Sequence, residues 1–75
     1  MHKNNLCISF GKKLSTLRNQ KGVTQEQLAE GAGLSVDFLS LIERGQRAPS
    51  FKTLEQLSKA LSIRVRDLFD FEYKE

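Results

Sequence analysis

The chain has 75 residues, of which 39% are hydrophobic and 28% charged, and its formal net charge at pH 7 is +3. A chain of this length forms a single small domain over residues 1–75, and it buries too little surface to enclose both a core and a pocket lined with catalytic groups. No apolar run approaches the roughly 18 residues that span a bilayer, the N-terminus lacks the apolar stretch of a secretory signal, and the single cysteine, Cys7, cannot form an internal disulfide. These features exclude a membrane span and a disulfide framework, and they predict a protein of the reducing cytoplasm.

The spacing of hydrophobic residues predicts an all-α fold of five short helices without strands. We expect the first helix from about Ser9 to Lys21, with Phe10, Leu14 and Leu17 on the face that meets the core. Gly22 supplies the left-handed position that ends it. Residues before it, 1–7, are expected to be flexible.

The second helix has a clear N-terminal signal. Thr24 and Gln27 have the spacing of a capping box, in which each side chain bonds the backbone N–H of the other. The predicted buried residues are Leu28, Ala29 and Ala32. Gly31 and Gly33 then allow a sharp reversal of the chain.

Three further helices are predicted after this reversal. Ser35 caps the third helix, which buries Leu39 and Ile42 and ends at Gly45. Ser50 caps the fourth helix, whose apolar face is formed by Leu54, Leu57, Ala60 and Leu61. The fifth is the shortest, roughly Val65 to Asp70, and residues 72–75 are expected to form a flexible tail.

The segment from Thr24 to Arg44 has the properties of a helix-turn-helix. Two short helices joined by a glycine-containing turn cross at a steep angle, and the first braces the second so that its outer face projects. A projecting helix of this kind fits the major groove of B-form DNA. The charge distribution agrees with this, since residues 1–49 hold seven Lys and Arg against four Asp and Glu, whereas residues 50–75 hold five of each.

Several separate motifs resemble the lambdoid repressor and Cro-like helix-turn-helix family, called the XRE family. They are Gly22-Val23-Thr24-Gln25-Glu26-Gln27-Leu28-Ala29, Gly33-Leu34-Ser35, Ile42-Glu43-Arg44-Gly45, Pro49-Ser50, Ala60-Leu61 and Asp67-Leu68-Phe69. The resemblance extends from about Phe10 to Phe69. It implies a compact five-helix DNA-binding domain and a bacterial or phage transcriptional regulator, such as a phage repressor or a restriction–modification controller protein.

The resemblance also implies roles for individual residues. The residues that face base edges in the major groove would be Ser35, Val36, Asp37 and Ser40. Those that approach phosphates would be Thr24, Gln25, Arg44, Gln46 and Arg47. Gln25 would also steady the neighbouring helix, and Arg18 and Glu43 would form a structural ion pair between the first and third helices.

The recognition helix lacks the side chains that make the strongest contacts with bases. Residues 35–41 contain no Gln, Asn, Arg or Lys, the side chains that make bidentate base contacts. Val36 can touch a thymine methyl group, and Asp37 either accepts from a cytosine amino group or stabilises the helix start. Phe38 either packs against the loop near Pro49 or rests on the sugar–phosphate backbone. Arginine contacts and DNA shape would then supply much of the selectivity.

We expect the protein to act as a homodimer, because one helix reads only a few base pairs. The predicted dimer anchors are Leu68, Phe69 and Phe71, and a two-fold dimer would present two recognition helices about 34 Å apart to a pseudo-palindromic operator. The expected location is the cytoplasm, in association with the nucleoid.

No catalytic residues are identified, and we expect no metal, no cofactor, no small-molecule substrate and no membrane partner. His2 is the only histidine, so neither a metal site nor a histidine-based triad can be assembled. The main alternative to a DNA-binding regulator is a protein-interaction module with the same fold, such as an adaptor or an antitoxin-like domain.

Overall fold

The structure, a computed structural model, describes residues 5–74, apart from the side chain of Asn5. His2, with the rest of residues 1–4, and Glu75 lie outside the described residues, and so does the flexibility predicted for them. Regular structure within residues 5–74 is entirely helical. Its elements are α1 (Asn5–Gln20), α2 (Gln25–Ala32), α3 (Val36–Glu43), α4 (Phe51–Leu61) and a 3-10 helix (Val65–Phe69).

The all-helical prediction is confirmed, but the fifth element is a 3-10 helix and not an α-helix. Its hydrogen bonds have 3-10 spacing, as in the bond from the N–H of Asp67 to the carbonyl of Arg64 at 3.0 Å. The N–H of Arg64 in turn donates to the Asp67 carboxylate at 2.9 Å. A segment of five residues offers few α-helical bonds, so the tighter turn satisfies its backbone groups instead.

Helix α1 begins at Asn5, four residues before the predicted start at Ser9. Residues 5–7, which we expected to be flexible, form its first turn. The physical reason is a long-range contact: a Cβ atom on Gly45 would lie 2.8 Å from the Cα of Ile8, so the turn after α3 packs directly on this part of α1. Helix α1 ends at Gln20, one residue before the predicted end at Lys21, and Gly22 has the predicted left-handed conformation, with a φ of 73°.

Buried residues from all five elements form the core. Helix α1 packs on α3 and on the 3-10 helix, whereas α2 packs on both α3 and α4. The buried hydrophobic residues are Phe10, Leu14, Leu28, Ala29, Ala32, Leu39, Ile42, Leu54, Leu57, Leu61 and Leu68. This set confirms the predicted core faces of α2 and α3 and most of those of α1 and α4.

Two predictions about buried and exposed residues are wrong. Ala60 was predicted on the apolar face of α4 but is exposed. The small polar residues Thr53 and Ser58 of the same helix are buried. Leu68, predicted as a dimer anchor, is fully buried within the single chain because the 3-10 helix turns it toward α1 and α4. It therefore has no side-chain surface to offer a second copy.

Helices α1 and α3 meet at backbone distance. A Cβ atom on Gly11 would lie 2.5 Å from the carbonyl oxygens of both Ile42 and Glu43. Only glycine permits this approach, because any side chain would strike backbone atoms. The contact fixes the C-terminal end of α3 relative to α1.

None of the helices in the described part of the chain combines the length and the apolar character needed to cross a membrane.

Candidate nucleic-acid interface

The N-terminus of α2 is held by the predicted capping box. The Thr24 hydroxyl accepts from the N–H of Gln27 at 3.0 Å, and the N–H of Thr24 donates to the Gln27 side-chain oxygen at 2.9 Å. Thr24 is exposed and Gln25 is half-buried. The first turn of a helix carries N–H groups without partners inside the helix, and its dipole favours an anion nearby. This end of α2 is therefore suited to a phosphate.

The turn between α2 and α3 sets the direction of α3. Gly33 adopts a left-handed conformation, and its N–H donates to the carbonyl of Glu30 at 3.2 Å. Ser35 then caps α3 by accepting from the N–H of Phe38 at 3.0 Å. The cap uses one of the two lone pairs of the Ser35 oxygen, and the O–H hydrogen stays able to donate to DNA.

The outer side of α3 brings the predicted base-facing residues together. Ser35, Val36 and Asp37 are exposed and Ser40 is half-buried, whereas Leu39 on the opposite side is completely buried. Val36 and Ser40 are four residues apart and therefore lie on one face of the helix. The exposed face carries short side chains, so its contacts with bases would be of short reach.

Two arginines and a glutamine follow at the end of α3. Arg44, Gln46 and Arg47 are all exposed, as expected of residues that approach phosphates. The Nε of Arg44 donates to the carbonyl of Ser40 at 3.4 Å, a long bond. The guanidinium carbon of Arg47 lies 5.4 Å from the centre of the Phe38 ring.

A buried polar cluster joins α1, α2 and α3. Arg18 donates to both carboxylate oxygens of Glu43, at 2.7 Å from Nε and 3.2 Å from Nη2. Arg18 Nη1 also donates to the carbonyl of Val23 at 2.9 Å. The structure thus brings the predicted pair Arg18 and Glu43 together, with side-chain exposures of only 13% and 6%.

Gln25 joins the same cluster. Its side-chain amide donates to Glu43 Oε1 at 2.9 Å, so the start of α2 is tied to the end of α3. The resemblance implied that Gln25 steadies the neighbouring helix, and this bond would hold α3 against α2. The amide has a second hydrogen, which this bond does not use. The sequence offered no local signal for the choice of Glu43 as acceptor, because the two residues are 18 positions apart.

The domain also has an apolar groove of about 380 Å³. It is lined by Leu6, Cys7, Phe10, Ala48, Pro49, Phe51, Leu54 and Phe69. Phe51 is 87% exposed at the first position of α4, whereas Leu6 and Phe69 are about two-fifths exposed. We call Leu6, Phe51 and Phe69 the apolar patch.

Of the predicted dimer anchors, Phe69 lies in this patch and Phe71 beside it. The ring centres of Phe69 and Phe71 are 6.3 Å apart, and Phe71 is half-buried against the core. The sequence analysis did not predict that Phe51 is exposed beside this groove. Its position was a usable signal, because a large aromatic residue lies directly after the cap of the helix and one turn before the residues that reach the core.

Comparison with known proteins gives consistent results. A family model described as helix-turn-helix matches residues 14–68. The control protein C.BamHI of Bacillus amyloliquefaciens is 41% identical over 69 residues, which cover 91% of this chain and 85% of that protein.

Two solved structures are also similar. The restriction–modification controller protein C.AhdI from Aeromonas hydrophila has a TM-score of 0.83 and 41% identity, with coverage of 84% of this chain and 96% of that chain. The controller protein C.Esp1396I, in a tetramer complexed with its natural 35 base-pair operator, has a TM-score of 0.82 and 31% identity, covering 91% of this chain and 90% of that chain.

Proposed function

The chain belongs to the helix-turn-helix family, and from this membership we propose that it is a sequence-specific, double-stranded DNA-binding transcriptional regulator whose helix α3 enters the major groove. One observation carries the proposal beyond the family. The outer face of α3 is exposed, while its C-terminal end is fixed by the buried cluster around Glu43. The protein is a regulator and not an enzyme.

Base contacts in this proposal are short. Val36 would touch a thymine methyl group, and the hydroxyl groups of Ser35 and Ser40 would bond base edges. Asp37 is exposed in the first turn of α3, where it also stabilises the helix dipole. None of these side chains makes the bidentate contact of a long amide or guanidinium group. DNA shape therefore contributes to the selection of sites.

Phosphate contacts would flank the base-reading face on both sides. Thr24 and Gln25 lie at the start of α2, whereas Arg44, Gln46 and Arg47 follow α3. All of these residues except half-buried Gln25 are exposed. Contacts on both sides of the groove would set the orientation of α3 without reading the sequence.

The regulator acts as a homodimer on a pseudo-palindromic operator, with two recognition helices about 34 Å apart. The tetramer of the similar protein C.Esp1396I on its operator supports this assembly. We place the dimer interface at the apolar patch and at Phe71 beside it. Phe69 and Phe71 are retained from the sequence prediction, and Leu6 and Phe51 are added. Large exposed apolar residues close together are typical of a protein–protein contact.

The similarity to C.BamHI and C.AhdI supports the controller-protein format over that of a phage repressor. In the same proposal the whole chain is one helix-turn-helix domain, and it acts in the cytoplasm at the nucleoid.

Selection of binding sites from random duplexes, followed by a salt titration, tests this function. The logarithm of the binding constant is expected to fall linearly with the logarithm of the salt concentration, because bound phosphates release counterions. Arg44→Gln and Arg47→Gln should each reduce the slope by about one for each copy in the bound dimer and leave the selected sequence unchanged. Val36→Ala should change the base preference and leave the slope unchanged. Absence of duplex binding at low salt, with the helical circular dichroism spectrum intact, would contradict the regulator and favour a protein-interaction module.

A further inference from the structure

Phe38 provides a fixed aromatic surface at the start of α3. Its N–H is bonded by the Ser35 cap, and its half-buried ring packs against the core cluster. The ring is thus restrained by the domain and still contacts the loop that follows α3.

Arg47 lies over this ring. Its guanidinium carbon is 5.4 Å from the ring centre, inside the distance of about 6 Å at which a cation is attracted to an aromatic face. Within residues 5–74 the structure gives Arg47 no carboxylate partner, since the ion pair it contains joins Arg18 and Glu43. The Phe38 ring is therefore the contact that restrains this exposed side chain.

A contact with the face of an aromatic ring forms no conventional hydrogen bond, so the N–H donors of Arg47 stay available. The N–H donors of a guanidinium group point outward in its plane, whereas the attraction to a ring acts through its face. A free arginine loses side-chain freedom when it binds a phosphate, and a side chain that is already restrained loses less. The ring contact therefore restrains Arg47 before DNA binds and uses none of its donors in a hydrogen bond.

Arg44 provides an internal comparison. It is exposed at the end of the same helix, but the contact it makes is one long bond to the carbonyl of Ser40 at 3.4 Å. The two arginines thus have similar charge and exposure, and they differ in the aromatic support beneath them.

We propose that Phe38 is a positioning residue for DNA binding, whose ring holds the guanidinium group of Arg47 in place for contact with the DNA backbone. This inference rests on the proposed function. The Phe38 ring would affect DNA binding by positioning Arg47. It would not contact the sugar–phosphate chain itself.

The contact between Arg47 and the Phe38 ring is tested first in the free protein by NMR. The side-chain protons of Arg47 should be shifted upfield by the Phe38 ring current, and Phe38→Leu should abolish this shift, whereas Phe38→Tyr should retain it. The Arg44 signals should be unchanged in both variants. An Arg47 spectrum that is the same with and without the ring would overturn the proposal. Phe38→Met serves as a second ring-free variant if Phe38→Leu does not fold.

A double-mutant cycle on the selected operator tests the role in binding. Phe38→Leu should weaken binding roughly two- to fivefold for each bound copy, in line with an exposed cation–π contact, and should keep the salt slope because the Arg47 charge remains. In the Arg47→Gln background the same change should have no effect. In the matched Arg44→Gln background it should have its full effect, and Phe38→Tyr should bind as tightly as the unmodified protein.

The possible failures are distinguishable. If Phe38→Leu weakens binding equally with and without Arg47, the ring acts on DNA directly or through the core, and the proposal is wrong. If the unmodified protein binds no duplex at low salt, the proposed function fails, whereas the NMR experiment still decides whether the contact between Arg47 and the Phe38 ring exists.

Discussion

Glu43 is the residue on which the orientation of the recognition helix depends most directly. Its carboxylate receives two bonds from Arg18 in α1 and one from Gln25 in α2, and its side chain is only 6% exposed. A negative charge at the last position of α3 is unfavourable for the dipole of that helix. Its stabilising contribution is therefore tertiary, since it joins three helices at one point.

Removal of this carboxylate should destabilise the domain strongly. Glu43→Ala leaves the Arg18 guanidinium buried without its partner, and breaking a buried pair in this way costs about 3–5 kcal/mol. We expect a large decrease in the urea midpoint, measured by circular dichroism. The control is Glu30→Ala, a change at an exposed position in α2 that should alter the free energy of unfolding by less than about 0.5 kcal/mol. Equal midpoints for the two variants would contradict the role of Glu43.

The individual contacts differ in how far the sequence predicts them. The caps at Thr24, Ser35 and Ser50 are predicted and present, because each bond joins residues three positions apart. The bond from Gln25 to Glu43 was not predicted, because it depends on how α2 and α3 cross. Local spacing specifies a cap completely, whereas a tertiary hydrogen bond also requires the packing of the helices.

At the scale of whole helices, close packing at Gly11 controls how α1 meets α3. The carbonyl oxygens of Ile42 and Glu43 occupy the space where a side chain on Gly11 would begin. These oxygens belong to the backbone of α3 and cannot rotate away. The approach therefore depends on glycine even though α1 would otherwise be a better helix with alanine.

Replacement of glycine by alanine should have opposite effects on stability at positions 11 and 31. Gly11→Ala should destabilise the domain by about 1–3 kcal/mol through overpacking, in excess of the gain of about 1 kcal/mol in helix propensity. Gly31→Ala should stabilise it by up to about 1 kcal/mol, because its Cβ would lie 3.5 Å from the Cβ of Ala60, an ordinary contact. Thermal unfolding measures both. Shifts of the same sign would show that packing between α1 and α3 does not limit position 11.

The boundaries of the elements show the same division between local and distant causes. Gly22, Gly33 and Gly45 all have the left-handed conformations that end their helices, as the sequence predicts. The start of α1 was predicted too late because Ile8 packs on Gly45, which is far away along the chain. Leu68 and Phe51 were likewise assigned wrongly or missed, since hydrophobicity identifies apolar residues but does not decide which face the core and which face solvent.

On the scale of the whole molecule, the two surfaces that we propose to be functional differ in character. The outer face of α3 and the arginines after it belong to the part of the chain that holds the excess positive charge, whereas residues 50–75 are neutral in sum. Phe51 and Phe69 of the apolar patch belong to this neutral part. Two copies could therefore meet there without strong repulsion between like charges and leave their basic surfaces free for DNA.

Replacement of Phe51 tests whether the apolar patch joins the two copies. Phe51 is 87% exposed, so Phe51→Gln should leave the stability of the single chain nearly unchanged. In a two-fold dimer each copy loses its Phe51, and burial of a large apolar side chain contributes about 1.5–3 kcal/mol. We therefore expect the dimer dissociation constant, measured by sedimentation, to rise by about a hundredfold or more.

The same variant separates dimerisation from DNA contact. Phe51→Gln should weaken binding to a full pseudo-palindromic operator, where two linked α3 helices bind together, and should leave binding to a single half-site unchanged. Lys52→Gln is the matched control at the neighbouring exposed position of α4, and it should leave the dissociation constant within about twofold of the original. If Phe51→Gln sediments as the unmodified dimer does, the interface lies elsewhere. An equal loss of half-site and full-site binding would instead mean that Phe51 contributes to the DNA-binding surface.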